Sequence, residues 1–340
     1  MKVIVDNKIP YINEAIGKIA DEVVYLPGAS FTPEVVKDAD ALIVRTRTLC
    51  NRELLEGSQV KFIATATIGY DHIDTDYCRE AGIVWTNCPG CNAGSVEQYV
   101  HSVLLLLKRE KGLDLKHATI GVVGVGHVGS RVARMAEGLG MRVLLNDPPR
   151  ADRGEKGLVD LRTIARECDI ITFHTPLVKE GIYRTCHLVD EAFLFSLQRH
   201  PVLINSSRGE VVDTTALLKA RACEKVREVI IDTWEHEPHI NEELLKVAYI
   251  ATPHIAGYSA DGKANATRMS LEALCRFFHI ETKVEIVPPA LPPMEFSKEE
   301  EEAFLQLYNP LYDSERLKNA PEKFEWFRGN YPLRREGVKG

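Results

Sequence analysis

The 340 residues predict an α/β protein, with two doubly wound parallel-sheet domains followed by a small C-terminal segment. Three observations carry that prediction. Short apolar runs alternate with helix-like stretches twice over, once in residues 1–90 and again from about 118 to 256. A G-x-G-x-x-G turn, Gly124, Gly126 and Gly129, stands between a strand and a helix in the second series. A proline-rich stretch, "VPPALPP" at 287–293, then separates a polar, aromatic tail. Strand–helix alternation favours parallel sheets, because each parallel crossover needs a helix and the helices cover both faces. The length itself exceeds one ordinary core and favours two or three domains.

The elements follow in order. "KVIV", "EVVYL", "DALIVRT", "KFIATAT" and "GIVWTN" are the strands of the first series. "YINEAIGKIA", "NRELLEG" and "DTDYCREAG" are helix-like pieces between them. Next, "CPGCNAGSVEQYV" at 88–100 pairs Cys88 with Cys91 at metal-like spacing. A structural zinc site needs four ligands, normally two such pairs, and no other cysteine pair has this spacing. The stretch reads as ordinary thiols in a turn before a helix from about Ser95 to Glu110. Ser95 and Gln98 fit an S-x-x-Q capping box at its start.

The second series begins at "TIGVV" and continues with "MRVLLND", "DIITFH", "PVLINSS", "VREVIID" and "VAYIATP". Six strands complete a dinucleotide-binding domain. A helix from about Ala260 to His279 follows, then the stiff proline linker. The tail carries two helix-like patterns and several aromatics, so it is expected to dock.

Charge and hydropathy exclude some classes. A net charge of -7 and a sequence pI of about 5.9 exclude a broad nucleic-acid footprint. Asp6 interrupts any signal-peptide core, and the longest strongly apolar run, "VLLLL" at 103–107, is too short to span a membrane. The expectation is a cytosolic protein with reduced thiols, no membrane partner and no bound metal.

The glycine turn permits close backbone approach to a pyrophosphate at a helix N-terminus. Asp147 lies 18 residues past Gly129 at the end of the next strand. A carboxylate there accepts hydrogen bonds from the adenosine ribose and repels a 2′-phosphate, which favours NAD over NADP. Arg150, close behind, weighs against that choice.

Ligands of open α/β sheets bind outside the carboxyl ends of the strands. Those ends deliver His174, Thr175, Arg208, Asp232, Glu237 and His254. An arginine can hold a carboxylate through two parallel hydrogen bonds, and a histidine can carry a proton near neutral pH. A glutamate can orient that histidine and stabilise its charged form. These are the parts needed to oxidise a 2-hydroxy acid with a nicotinamide. Spacing leaves open which histidine Glu237 pairs with, because His236 and His239 are nearer in the chain. Arg208 could also be a surface arginine, and His174 a core residue.

These residues, together with "VDNKIPY", "TATIGYDHID", "PGCNA", "GVVGVGHVG", "DPPRADRG", "FHTPL", "INSSRG", "DTWEHEP" and "TPHIAGYSADGKA", resemble the D-isomer-specific 2-hydroxyacid dehydrogenases. The resemblance covers residues 1 to roughly 285 and part of the tail. It implies a flavodoxin-like substrate domain at 1–94 and 257–285, a Rossmann NAD domain at 95–256, and an abbreviated dimerisation segment at 286–340. "PGCNA" becomes the crossover between the first two. Arg208, Glu237 and His254 become catalytic, with His254 the acid/base. Gly124, Gly126, His127, Val128, Gly129, Asp147, Thr175, Ser206, Ser207, Arg208, Asp232 and Gly257 become the NAD contacts. Thr46, Thr67 and Tyr258 become substrate contacts. Thr46 stands where a serine is expected, Cys88 where a small residue is expected, and "SSRG" replaces "ACRG". The resemblance further implies a homodimer and a small phosphorylated hydroxy-acid substrate.

A phosphate dianion needs cationic donors, and in an acidic protein these must be local. Arg45 and Arg47 of "VRTRT" are the candidates. Neighbours in a strand point to opposite faces, so the strand is expected to end by Arg45. Two rival readings remain: a dehydrogenase for 3-phosphoglycerate or an unphosphorylated hydroxy acid, and a dinucleotide-sensing binding protein of the same fold.

Overall fold

The structure, a computed structural model, describes residues 1–337. The chain divides into two compact units. Among the described residues, the first holds 1–92 and 259–291, and the second holds 93–258 and 292–337.

The first unit is built on β1 (Lys2–Asp6), β2 (Glu22–Leu26), β3 (Ala41–Val44), β4 (Phe62–Thr65) and β5 (Val84–Thr86). They form one parallel sheet in the order β2-β1-β3-β4-β5. The central strands are continuous apolar runs because both faces are covered. Ile4, Leu42 and Ile63 join the core on one face. Val3, Val5, Ile43 and Ala64 join the other, with Leu271 and Leu274 of the helix Ala260–Phe277. Successive side chains alternate between the faces, as the strand period of two requires. The stretch "YINEAIGKIA" yields a single turn, Asn13–Ile16.

The second unit carries β6 (Thr119–Val123), β7 (Arg142–Asn146), β8 (Ile170–Phe173), β9 (Val202–Asn205), β10 (Glu228–Ile231) and β11 (Ile250–Ala251). All pair in parallel, in the order β11-β10-β9-β8-β6-β7. The order reverses between β6 and β8, where doubly wound sheets open a crevice for ligands. The helices Ala93–Lys111 and His127–Gly138 cover one face through Leu104, Val132 and Ala136.

Two expectations change here. The helix begins at Ala93, so Ser95 and Gln98 lie inside it and form no capping box. Both are buried and take tertiary partners. Ser95 Oγ donates to the Ala256 carbonyl at 2.8 Å, and Gln98 Nε2 donates to the Arg335 carbonyl at 2.8 Å. A capping box works only at a helix end, where N–H groups lack partners.

Residues 292–337, expected to dock, pack within the second unit. They form the helices Glu300–Leu307, Pro310–Asn319 and Phe324–Gly329, one more than expected. Leu317, Phe324 and Phe327 enter the core on one sheet face, and Leu305 and Tyr308 on the other. Ser314 Oγ accepts from Ala251 N at 2.9 Å, which satisfies an N–H of the edge strand β11. The last three residues of the expected dimerisation segment lie outside the described residues.

Candidate active site

The glycine turn sits at the carboxyl end of β6. Gly124 has φ +89°, and a Cβ there would stand 2.8 Å from the His174 carbonyl oxygen. A Cβ on Gly129 would stand 1.9 Å from the Gly124 carbonyl oxygen. A Cβ on Gly126 would meet nothing within 4 Å, so the space before this helix N-terminus is open. His127 is exposed and Val128 half-buried in the helix's first turn.

Asp147 lies against this turn. Its Oδ2 accepts from Val125 N at 2.9 Å, and its Oδ1 accepts from Arg150 N at 3.1 Å, capping the helix Pro148–Asp152. The Arg150 guanidinium is held on Glu155, with Nε and Nη2 each 2.6 Å from a carboxylate oxygen. Its charge is therefore neutralised locally, which lessens its weight in favour of a 2′-phosphate.

Three hydroxyls on this edge are shielded from water and lack a hydrogen-bond partner among the described residues: Thr175 Oγ1, Ser206 Oγ and Thr233 Oγ1. They follow β8, β9 and β10 respectively. An unpaired shielded polar group is costly unless a ligand completes it. Together with the bare glycine turn they fit a polar dinucleotide such as NAD. Thr233 was not among the expected contacts; its position one residue past Asp232 was the available signal.

His254 and Glu237 meet, with Nδ1 and Oε2 2.8 Å apart. Glu237 Oε1 accepts from Trp234 N at 2.9 Å, so the carboxylate is oriented at both oxygens. Burial works against its charge. The bond and charge of His254, the Trp234 N–H and the nearby Arg328 outweigh that and hold the carboxyl below its usual range. His236 and His239 are exposed. His174 is held 2.9 Å from Thr172 Oγ1, and burial pushes it down to about 3, so it stays neutral and is no proton carrier near pH 7.

Arg208 follows β9, half-buried, with Nη1 donating to the Ser207 carbonyl at 2.8 Å. Ser207 is buried, and its hydroxyl donates to Asn205 Oδ1 at 2.8 Å. Asp232 is 1% exposed and turns both oxygens into the loop that carries His254. Oδ1 accepts from Thr252 Oγ1 at 2.6 Å and Ile255 N at 2.8 Å, and Oδ2 accepts from Ala256 N at 3.0 Å. Gly257 and Tyr258 end that loop, half-buried. The Tyr258 ring meets Tyr331 edge-on at 5.9 Å.

In the first unit, β3 ends at Val44, as expected, and a turn closed by Thr48 N on the Arg45 carbonyl separates the two arginines. Arg45 is half-buried, with Nη1 donating to the Lys8 carbonyl at 3.3 Å. Arg47 is exposed and lines a shallow cavity with Gly28, Phe31 and Asn51. Lys263, in the first turn of the helix Ala260–Phe277, was missed by sequence reasoning. Burial, and then the charge of Arg45, lowers its pKa. Thr46 is exposed. Thr67 Oγ1 donates to the Gly69 carbonyl at 2.8 Å and lies 2.7 Å from Thr65 Oγ1. Cys88 is buried, and its thiol donates to the Ala266 carbonyl at 3.2 Å.

A family model described as D-isomer specific 2-hydroxyacid dehydrogenase, NAD binding domain, matches residues 96–256. Fold and matched family together define the class: an NAD-dependent 2-hydroxyacid dehydrogenase. Among curated proteins, the erythronate-4-phosphate dehydrogenase of Bacteroides thetaiotaomicron is 62% identical, over 99% of this chain and 97% of its own. That of Cronobacter sakazakii is 44% identical, over 99% and 92%. The chain belongs to the erythronate-4-phosphate dehydrogenase family. Solved structures agree on the fold. A D-lactate dehydrogenase from Aquifex aeolicus, complexed with NAD and lactic acid, matches with TM-score 0.66 and 28% identity over 82% of this chain and 96% of its own. An NAD-bound 3-phosphoglycerate dehydrogenase of Entamoeba histolytica matches with TM-score 0.68 and 29% identity over 84% and 98%. The family resemblance, the fold class and the NAD expectation read from the sequence are borne out.

Proposed function

We propose that this enzyme oxidises 4-phospho-D-erythronate at C2 to (R)-3-hydroxy-2-oxo-4-phosphooxybutanoate, a step of pyridoxal phosphate biosynthesis. The observation that carries the chemistry is the 2.8 Å pair of Glu237 and His254 at the strand edge of an NAD-binding fold. NAD, when bound, supplies the two-electron acceptor for the C2 hydrogen. The glycine turn, Asp147, and the hydroxyls of Thr175 and Ser206 hold that cofactor, with Thr233 completing the row. Ser207, Gly257 and Asp232 shape the same edge.

Arg208 binds the substrate carboxylate. Glu237 keeps the proton of His254 on Nδ1 and stabilises the imidazolium, which leaves Nε2 to take the proton of the C2 hydroxyl. Tyr258, Thr46 and Thr67 contribute to substrate contact. The phosphate is assigned to Arg45 and Lys263. Two neighbouring cations disfavour each other's charge, and a bound dianion removes that penalty.

The test is steady-state NADH production with 4-phosphoerythronate, 3-phosphoglycerate and unphosphorylated erythronate. Preference for the first supports the proposal, and preference for either other substrate moves the assignment there. Absence of turnover on all three favours a dinucleotide-sensing role. Arg45→Ala and Lys263→Met should cost the phosphorylated substrate selectively, by about 1.5–3 kcal/mol for each charge-assisted hydrogen bond lost. Equal effects on phosphorylated and unphosphorylated erythronate would place the phosphate elsewhere. We also infer a cytosolic homodimer, on the resemblance. Light scattering should give about twice the 38.1 kDa of one chain.

A further inference from the structure

We propose that Arg334, in the C-terminal tail, is a positioning residue for proton transfer at His254. This inference rests on the reading of His254 as the proton carrier.

The loop from Thr252 to Tyr258 is held on two sides. Asp232 holds its N–H groups, taking Ile255 N and Ala256 N. Its carbonyls are held by donors from elsewhere in the same unit. Ser95 Oγ donates to the Ala256 carbonyl at 2.8 Å, and Arg334 Nη1 donates to the Ile255 carbonyl at 3.2 Å. The Ile255–Ala256 peptide, one residue beyond His254, is therefore gripped by a carboxylate at its N–H and a guanidinium at its carbonyl, which also takes Tyr258 N at 2.8 Å. That grip matters because His254 has φ +55°, a left-handed conformation that a non-glycine residue holds only when its surroundings impose it.

Arg334 is fixed as firmly as the loop. It is 4% exposed. Nη2 donates to the Ser95 carbonyl at 2.6 Å, and Nε donates to Gln98 Oε1 at 2.8 Å. The guanidinium carbon lies 3.6 Å from the centre of the Tyr308 ring. Gln98 Nε2 closes the arrangement on the Arg335 carbonyl. A planar fork with fixed donors is the side chain suited to bonding three acceptors at once. If the tail needed only adhesion, an apolar side chain would anchor it without the cost of burying a charge. The acceptor that gives this charge a use in the reaction is the Ile255 carbonyl, one residue from His254.

The test uses the full-length enzyme with Arg334→Met, Arg334→Lys and, as comparison, Lys318→Met. Lys318 Nζ ties the tail to the Ala248 carbonyl, away from the loop. Each variant is measured for kcat, KM, NAD affinity, the pH–rate profile and Tm. Arg334→Met should lower kcat about 10²-fold, as misplacement of a reacting group by about 1 Å does, with NAD affinity within about twofold. Arg334→Lys, which keeps the charge but not the fork, should lose about tenfold. Lys318→Met should lower Tm and leave kcat unchanged. The proposal is overturned if folded Arg334 variants keep kcat within about twofold, or if Lys318→Met lowers it equally. If Arg334→Met does not fold, the comparison of Arg334→Lys with Lys318→Met decides. A parent enzyme inactive on 4-phosphoerythronate refutes only the substrate assignment. The same comparison then runs on the D-2-hydroxy acid that it does oxidise.

Discussion

At the carboxyl edge of the five-stranded sheet, polar side chains complete one another. Asp6 accepts from Lys8 N at 2.8 Å, Thr65 lies 2.9 Å from His72 Nε2, and Thr67 donates to the Gly69 carbonyl. At the same edge of the six-stranded sheet, Thr175, Ser206 and Thr233 keep hydroxyls without partners, and Gly126 leaves open space before a helix N-terminus. Both sheets are parallel and doubly wound, so winding does not explain the contrast. The first edge pairs these strand-end side chains within its own chain and, in the proposed function, brings charge through Arg45 and Lys263. The other leaves hydroxyls unpartnered and, in the proposed function, holds the cofactor and carries the proton chemistry. Within one chain, the same architecture hosts two roles, and side chains at the strand ends decide which.

The largest effect that would break this contrast lies in the second unit. His254→Ala should lower kcat/KM by about 10²–10⁴-fold, the usual contribution of a positioned acid/base. Glu237→Gln should cost less. It removes the charge that favours imidazolium, so the acidic limb of the pH–rate profile should move to lower pH. Equal small losses with no movement of the limb would dissolve the pair.

A pair of glycine variants sharpens the idea of an unfinished edge. Gly126→Ala should keep Tm yet weaken NAD binding by at least about tenfold, because its methyl meets no protein atom but enters the pyrophosphate's space. Gly129→Ala should lower both Tm and NAD affinity, because its methyl collides with the Gly124 carbonyl. If Gly126→Ala binds NAD normally, the cofactor does not approach this turn.

Acid should weaken the second unit through two half-buried histidines, His174 and His101. Burial pushes His174 from 6.5 down to about 3 and His101 down to about 4. The folded protein keeps them neutral while the unfolded chain takes up protons. Their contribution is complete above about pH 6.5 and is lost as pH falls towards 3 and 4. The slope is up to about 1.4 kcal/mol per pH unit for each proton. Urea midpoints at several pH values should show this decline, and His174→Gln should flatten part of it. A midpoint equally pH-dependent in His174→Gln would assign the decline to other groups.

The smallest effect concerns cofactor choice. Asp147→Ala should weaken NAD, narrow its preference over NADP, and cost about 1 kcal/mol of stability through the lost helix cap. An unchanged NAD/NADP ratio would remove Asp147 from the adenosine pocket.

Local signals were legible in the sequence because they act over a few residues. Apolar runs of four or five, such as "TIGVV" and "ALIV", became strands, since a strand covered on both faces must be apolar along its length. The glycine spacing located the turn, because Gly124 at φ +89° and Gly129 against a backbone oxygen admit no side chain. Residue chemistry at the strand ends named Arg208, Glu237 and His254 as candidates.

Partner choice over long separations was decided only by the tertiary structure. Ser95 and Gln98 carried a plausible capping signal, yet packing buried them and handed them to Ala256, Arg334 and Arg335. Glu237 passed over His236 and His239 for His254, seventeen residues on. The charge of Arg45 came to act on Lys263, and the tail returned Arg334 to the Ile255 carbonyl, one residue past His254. A sequence shows which groups can donate, accept or carry charge. Which of them meet depends on how the strands and helices stack, because burial forces each polar group to find a partner wherever the fold places one.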